Sequence, residues 1–272
     1  MGKIVGGFAT SHILFPPDGV EQQADRVIDG FLAIREQVQA LKPDAIVMVG
    51  ADHLNNFTLA VQVTLGVGIA DEYHSLGDGG VPAMHFAGHR ALAEALAQHS
   101  ARRGVDLVQI EEVRPDHGMM IPKYAVDPEN KIPVVPLYVN AAMPVPPSPN
   151  RCYALGRILK ETVEHFRPPE ERIVVIGTGG MSHWLCVPGE GRVNEAFDRE
   201  FIDKLITGRA HELSRYDTED IIQLAGNGGL EVTAWLVMAG ALPGVTGEAL
   251  YYEAMPEWIT GMGAVALVPE GV

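Results

Sequence analysis

Gly177-Thr-Gly-Gly-Met-Ser-His-Trp184 is the segment of this chain best suited to chemistry. It follows Arg172-Ile-Val-Val-Ile176, a β-branched apolar run that reads as a buried strand. Adjacent glycines let the backbone turn sharply or pass close to a ligand. His183 is delivered just beyond the strand's end, where open α/β sheets place their ligands. An imidazole titrates near neutrality, so a histidine held there can move protons during a reaction. Three more histidines stand in loop contexts after strand-like runs: His12 in Thr-Ser-His-Ile, His53 in Gly-Ala-Asp-His and His117 in Pro-Asp-His-Gly.

One acid belongs with them. Glu231 lies in Gly226-Asn-Gly-Gly-Leu-Glu-Val-Thr-Ala-Trp235, in the first turn of an apolar helix. A helix N-terminus favours a carboxylate. On so apolar a helix the carboxylate also needs a partner, and a metal ion is a good one. Two histidines plus one carboxylate is the donor set of non-haem Fe(II) centres, which keep positions open for further ligands. Zn²⁺ accepts the same donors, so ligand types alone leave the metal undecided. The donors are scattered along the chain, with no pair on one helix.

Positioning them requires a succession of strands and helices. Strands are expected at Lys3 to Phe8, Asp44 to Gly50, Phe57 to Leu65, Val105 to Ile110, Ile132 to Val139 and Gly261 to Leu267. Helices are expected at Glu21 to Leu41, Gly88 to Arg102, Arg151 to Phe166, Val193 to Ile206 and Gly229 to Ala241. Alternation of this kind predicts an α/β fold, a largely parallel central sheet with helices on both faces. The Pro-rich stretch Met143 to Asn150 reads as an extended loop. No repeat or composition shift divides the chain, so a single domain over residues 1–272 is expected.

Composition narrows the function. The net charge is −15 and no Lys/Arg cluster occurs, which argues against nucleic acid and anionic membrane as partners. An anionic substrate would need a local basic pocket against that field. The two cysteines, Cys152 and Cys186, lack metal-type spacing and indicate no disulfide framework, as in a reducing cytoplasm. Met1 to Phe8 is too short and Gly-rich for a signal peptide. No apolar run approaches the roughly 20 residues of a membrane span. A cytoplasmic location is therefore expected.

The chain resembles the class III (LigB-type) extradiol ring-cleavage dioxygenases, and within them most of all the β subunits of protocatechuate 4,5-dioxygenases. The resemblance rests on Thr10-Ser-His-Ile13, Asp52-His53, Asp116-His-Gly118, Arg151-Cys-Tyr-Ala-Leu-Gly156, Gly177-Thr-Gly-Gly-Met-Ser-His183, Phe197-Asp and Leu230-Glu-Val, and runs over nearly the whole chain. It implies that His12, His53 and Glu231 hold Fe(II), that His183 is the catalytic acid/base, and that His117 is a second active-site histidine. The implied reaction is O₂-dependent cleavage of a catechol such as protocatechuate, gallate or a 2,3-dihydroxyphenyl acid. The tail Tyr251-Tyr-Glu-Ala-Met-Pro-Glu-Trp-Ile259 is more similar to single-subunit relatives that cleave 2,3-dihydroxyphenylpropionate. No α-type segment is fused, so a homo-oligomer or a complex with a small α-type subunit is expected. Non-redox binding proteins on the same fold, and a Zn²⁺ hydrolase using the same donors, are the rival readings.

The remaining histidines (His74, His85, His89, His99, His165 and His211) read as surface or structural, in helices or polar loops. Asp52 and Asp116 either orient an imidazole or cap a turn. Gly77-Asp-Gly-Gly80 lacks the context of a phosphate loop and reads as a flexible lid. Cys186 has nothing beside it that suggests a nucleophile.

Overall fold

The structure, a computed structural model, describes residues 1–271. The chain runs β1 (Lys3–Thr10), α1 (Glu21–Leu41), β2 (Ala45–Gly50), β3 (Leu65–Gly68), β4 (Glu72–His74), β5 (His85–Ala87), α2 (Arg90–Arg102) and β6 (Val108–Ile110). It continues α3 (His117–Val126), β7 (Val134–Val139), α4 (Pro149–Phe166), β8 (Arg172–Thr178), α5 (Glu195–Ile206), α6 (Ala210–Leu213) and α7 (Thr218–Ala225). A 3₁₀ turn (Gly228–Glu231) leads into α8 (Val232–Ala241), and β9 (Glu248–Met255) and β10 (Thr260–Leu267) close the fold.

Eight strands form one sheet in the order β6-β3-β7-β2-β8-β1-β10-β9. The centre, β7-β2-β8-β1, is parallel, while β10, β9 and the β3–β7 pair add antiparallel ladders at the flanks. Every residue of β2 and β7 is buried, because helices cover both faces and the strands need no polar side. Alternate residues feed two cores. Ile46 and Met48 pack with Val27, Phe31 and Ile34 of α1, while Val47 and Val49 pack with Leu155 and Leu159 of α4 and Trp235 of α8. The α/β expectation, with a mostly parallel sheet, is met.

Register is what matters for chemistry. Ala9 of β1 and Val49 of β2 both lie opposite Gly177 of β8. The C-terminal ends of these three strands are therefore level. His12, His53 and His183 leave the sheet two to five residues past that common edge, as the rule for open α/β sheets requires.

The structure corrects several expected elements. Phe57 to Leu65 is not a strand. Asp52 caps a turn there by accepting from the backbone N–H groups of Asn56 and Phe57, and the strand begins only at Leu65. Phe57 is buried and packs edge-on against Tyr138 at 5.2 Å, while residues 58–62 are exposed. His117 does not sit in a loop. It opens α3, whose N-cap Asp116 accepts from Gly118 N at 3.0 Å. His74 and His85 lie on the β4–β5 hairpin, stacked at 4.5 Å, rather than on a helix or in a loop. The Pro-rich loop ends at its N-cap Ser148, with Pro149 starting α4, where a missing N–H costs nothing.

Candidate active site

The five residues singled out in the sequence line one cavity of about 520 Å³: His12, His53, His117, His183 and Glu231. Aliphatic walls from Ile13, Leu14, Ile121 and Ile259 complete it. Glu231 sits at the centre, 7% exposed, at the junction of the 3₁₀ turn and α8. Its Oε1 is 3.0 Å from Nε2 of His53. Its Oε2 accepts from Gly180 N at 2.7 Å, and lies 3.7 Å from Nε2 of His12 and 4.0 Å from Nε2 of His183. Ring nitrogens of His12, His53 and His117 also lie within 4.8 Å of one another.

Each imidazole is set by a different device. His53 Nδ1 is 3.1 Å from Asp116 Oδ2, which also accepts from the backbone N–H of His53. Asp116 therefore orients the imidazole and caps α3 at once, while Asp52 only caps a turn. His117 Nδ1 is 2.6 Å from Asp78 of the Gly-rich segment, and its ring stacks on His53 at 4.4 Å. Gly79 (φ +61°) runs so close that a Cβ there would lie 2.4 Å from Cβ of His117, so this segment is a wall of the site. His183 donates from Nδ1 to the Met181 carbonyl at 2.8 Å, which leaves Nε2 as the atom that gains or loses a proton.

Electrostatics follow burial and pairing. Burial lowers the His12 imidazole to about 4, against the opposing pull of Glu231. For His53 burial also lowers, but hydrogen bonds to Asp116 and Glu231 outweigh it and raise the group to about 10. Burial would raise Glu231, yet His12 and His53 beside it hold its carboxyl well below the usual range. Without a metal, this is an imidazolium held between two carboxylates.

The donor set fits a metal. Two imidazoles and a buried carboxylate converge on one point. Nδ1 of buried His12 has no hydrogen-bond partner, and its Nε2 meets only Glu231. Asp116 fixes Nδ1 of His53 and so aims Nε2 at the same point, the outer support usual for a ligating histidine.

Reasoning from sequence missed three supports. Asp78 holds His117. Asp198 accepts from Ser182 N at 2.9 Å, Ser182 Oγ at 2.7 Å and Tyr252 Oη at 2.9 Å, fixing the turn that carries His183; burial raises it to about 6. Its only sequence signal is the Phe197-Asp pair. The third is Gly228, where a Cβ would lie 2.2 Å from Nε2 of His183. Gly228→Ala is expected to displace that imidazole with metal content unchanged; if His183 takes part in turnover as the sequence suggests, kcat/KM falls by about 10²-fold, the scale for a misplacement of about 1 Å. Steady-state kinetics paired with metal analysis checks this.

A second cavity, of about 320 Å³, shares His53, Leu185 and Glu231 with the first. Met143, Pro144 and Pro146 of the Pro-rich loop form its far wall together with Ile222 of α7.

Comparison with known proteins agrees with this geometry. The family described as the catalytic LigB subunit of aromatic ring-opening dioxygenase matches residues 8–263. The chain is similar to the 2,3-dihydroxyphenylpropionate/2,3-dihydroxicinnamic acid 1,2-dioxygenases of Escherichia coli strain K12 and of Shigella sonnei strain Ss046. Each is 26% identical over 301 residues, covering 92% of this chain and 93% of the relative. Its fold is similar to the crystal structure of the uncharacterized protein JW3007 from Escherichia coli K12. The TM-score is 0.63 at 16% identity, over 97% of this chain and 99% of the other.

Proposed function

Because the chain belongs to the LigB family of aromatic ring-opening dioxygenases, we propose that it opens a catechol ring beside its two hydroxyls and places both atoms of O₂ in the product. The carrying observation is the convergence of His12, His53, His117, His183 and Glu231 on one cavity at the level edge of β1, β2 and β8. His12, His53 and Glu231 are the residues that would hold Fe(II), which would supply Lewis acidity toward the catechol oxygens and the redox chemistry with O₂. The chain supplies the rest. His183 Nε2 takes a phenolic proton as the substrate seats and returns it as the ring opens. His117, kept in place by Asp78, gives the substrate a second hydrogen-bonding group. Ile13, Leu14, Ile121 and Ile259 keep water from the reacting oxygens.

The reading extends to organisation: a single catalytic domain spanning the chain, located in the cytoplasm. No helix among the described residues is long and apolar enough to cross a membrane. Phe15, at the cavity wall, is 48% exposed, and supports association there as a homo-oligomer or with a small α-type subunit.

One purified sample tests all of this. Metal analysis, oxygen uptake with a panel of catechols and light scattering are expected to give iron, uptake and an oligomer or heteromeric complex. Bound zinc without oxygen uptake would favour a hydrolase. A fully active monomer would overturn the association.

A further inference from the structure

We infer that the catechol taken by this site carries an uncharged ring substituent. This deepens the ring-cleavage reading and rests on it. Once the ring lies against Glu231, a substituent has two places to go: the remainder of the 520 Å³ cavity, or the 320 Å³ cavity that shares His53, Leu185 and Glu231 with it. Among the described residues, the lining of neither contains a lysine or an arginine. Each contains a further acid instead: Asp78 in the first and Glu219 in the second.

The histidines of the lining are already engaged or lie against Glu231, His12 through Nε2 at 3.7 Å. His53 lies between Asp116 and Glu231, His117 on Asp78, and His183 on the Met181 carbonyl. Two arginines from neighbouring segments are turned to other uses. Arg114 donates to the Ser75 and Leu76 carbonyls, and Arg192 stacks on Trp184 at 4.7 Å.

A carboxylate drawn into either cavity away from the metal ligands would shed water without gaining a lysine or arginine as partner. It would also face an added acid in a protein of net charge −15. An alkyl or aryl group meets aliphatic walls, and each buried methylene is worth roughly fourfold in affinity. A cationic group has less to gain, because Asp78 is already hydrogen-bonded by His117 at 2.6 Å.

Three catechols that share a three-carbon side chain separate these cases on the iron-loaded protein: 3-propylcatechol, 3-(2,3-dihydroxyphenyl)propionate and 3-(3-aminopropyl)catechol. Kd is measured by anaerobic calorimetry and kcat/KM by oxygen uptake. The propyl compound is expected to lead both others by about tenfold or more in each, tenfold being the scale of about 1.4 kcal/mol. A propionate that binds and reacts as well as the propyl compound overturns the inference, whichever chain supplies the cation. An aminopropyl compound that leads overturns it as well. If none of the three consumes oxygen, the ring-cleavage reading fails. The ranking of the Kd values then still decides whether the site rejects charge.

Discussion

Alanine at position 183 is expected to leave the metal content intact and to lower kcat/KM by about 10²–10⁴-fold, the range for a general acid–base group. His183 is fully enclosed. Its Nδ1 is committed to the Met181 carbonyl, and its Nε2 stands 4.0 Å from Glu231, further than the same atom of His53 or His12. On the proposed reading it meets a substrate proton beside the donor cluster and does not complete that cluster. Asp198 holds the backbone of the same turn through Ser182, so the ring's position does not depend on the metal. Metal analysis and oxygen-uptake kinetics on one preparation test this. An emptied site in His183→Ala would reverse the assignment.

Glu231→Ala and His12→Ala are expected to do the opposite, emptying the site and abolishing turnover. Glu231 is the only carboxylate in contact with both His12 and His53 among the described residues. Its loss removes a donor and the charge that offsets a cation there. The affinity loss should exceed the roughly 10–100-fold that follows loss of an outer partner such as Asp116, and a titration of the chelated variants with Fe(II) measures it. Chelation of the parent protein has its own signature. His53 then keeps its proton up to about pH 10, against 6.5 for an ordinary histidine. That contribution to stability is complete below pH 6.5 and is lost as the pH rises through about 10. Thermal unfolding of the chelated protein across this window should show the fall, and His53→Gln should flatten it. An unchanged slope in that variant would assign the fall to other groups.

How much of this was legible beforehand depended on the length and purity of each pattern. Glu21 to Leu41 was read with the bounds observed, because seven residues of its one buried face repeat at helical spacing. Asp44 to Gly50 and Ile132 to Val139 were found because strands covered on both faces are apolar throughout. Three-residue strands such as β4 and β5 carry too few residues for a period to show. α3 was missed because Asp116-His117-Gly118 reads as a turn and Pro122 stands inside the helix. β9 is half-exposed with mixed polarity, so its residues show no clean alternation. At the site, histidines past strand ends and an acid on an apolar helix are local signals. Asp78, Asp198 and Gly228 matter through residues far away in the chain, 39 positions off for Asp78 and His117, and the short motifs they lie in do not show which distant side chain each one holds.

The place of β1 in the sheet bears on how the protein comes into being. β1 is wedged between β8, which begins at Arg172, and β10, which ends at Leu267. Its pairings span most of the chain, and such long-range closures make folding slow. As the chain leaves the ribosome, β1 can pair with β8 only once Arg172–Thr178 has emerged, and its other edge stays open until β10 follows. His12, two residues past its end, reaches Glu231 only in the last stages of assembly. The pocket around Glu231 therefore closes with the last long-range pairings of the sheet and not before them.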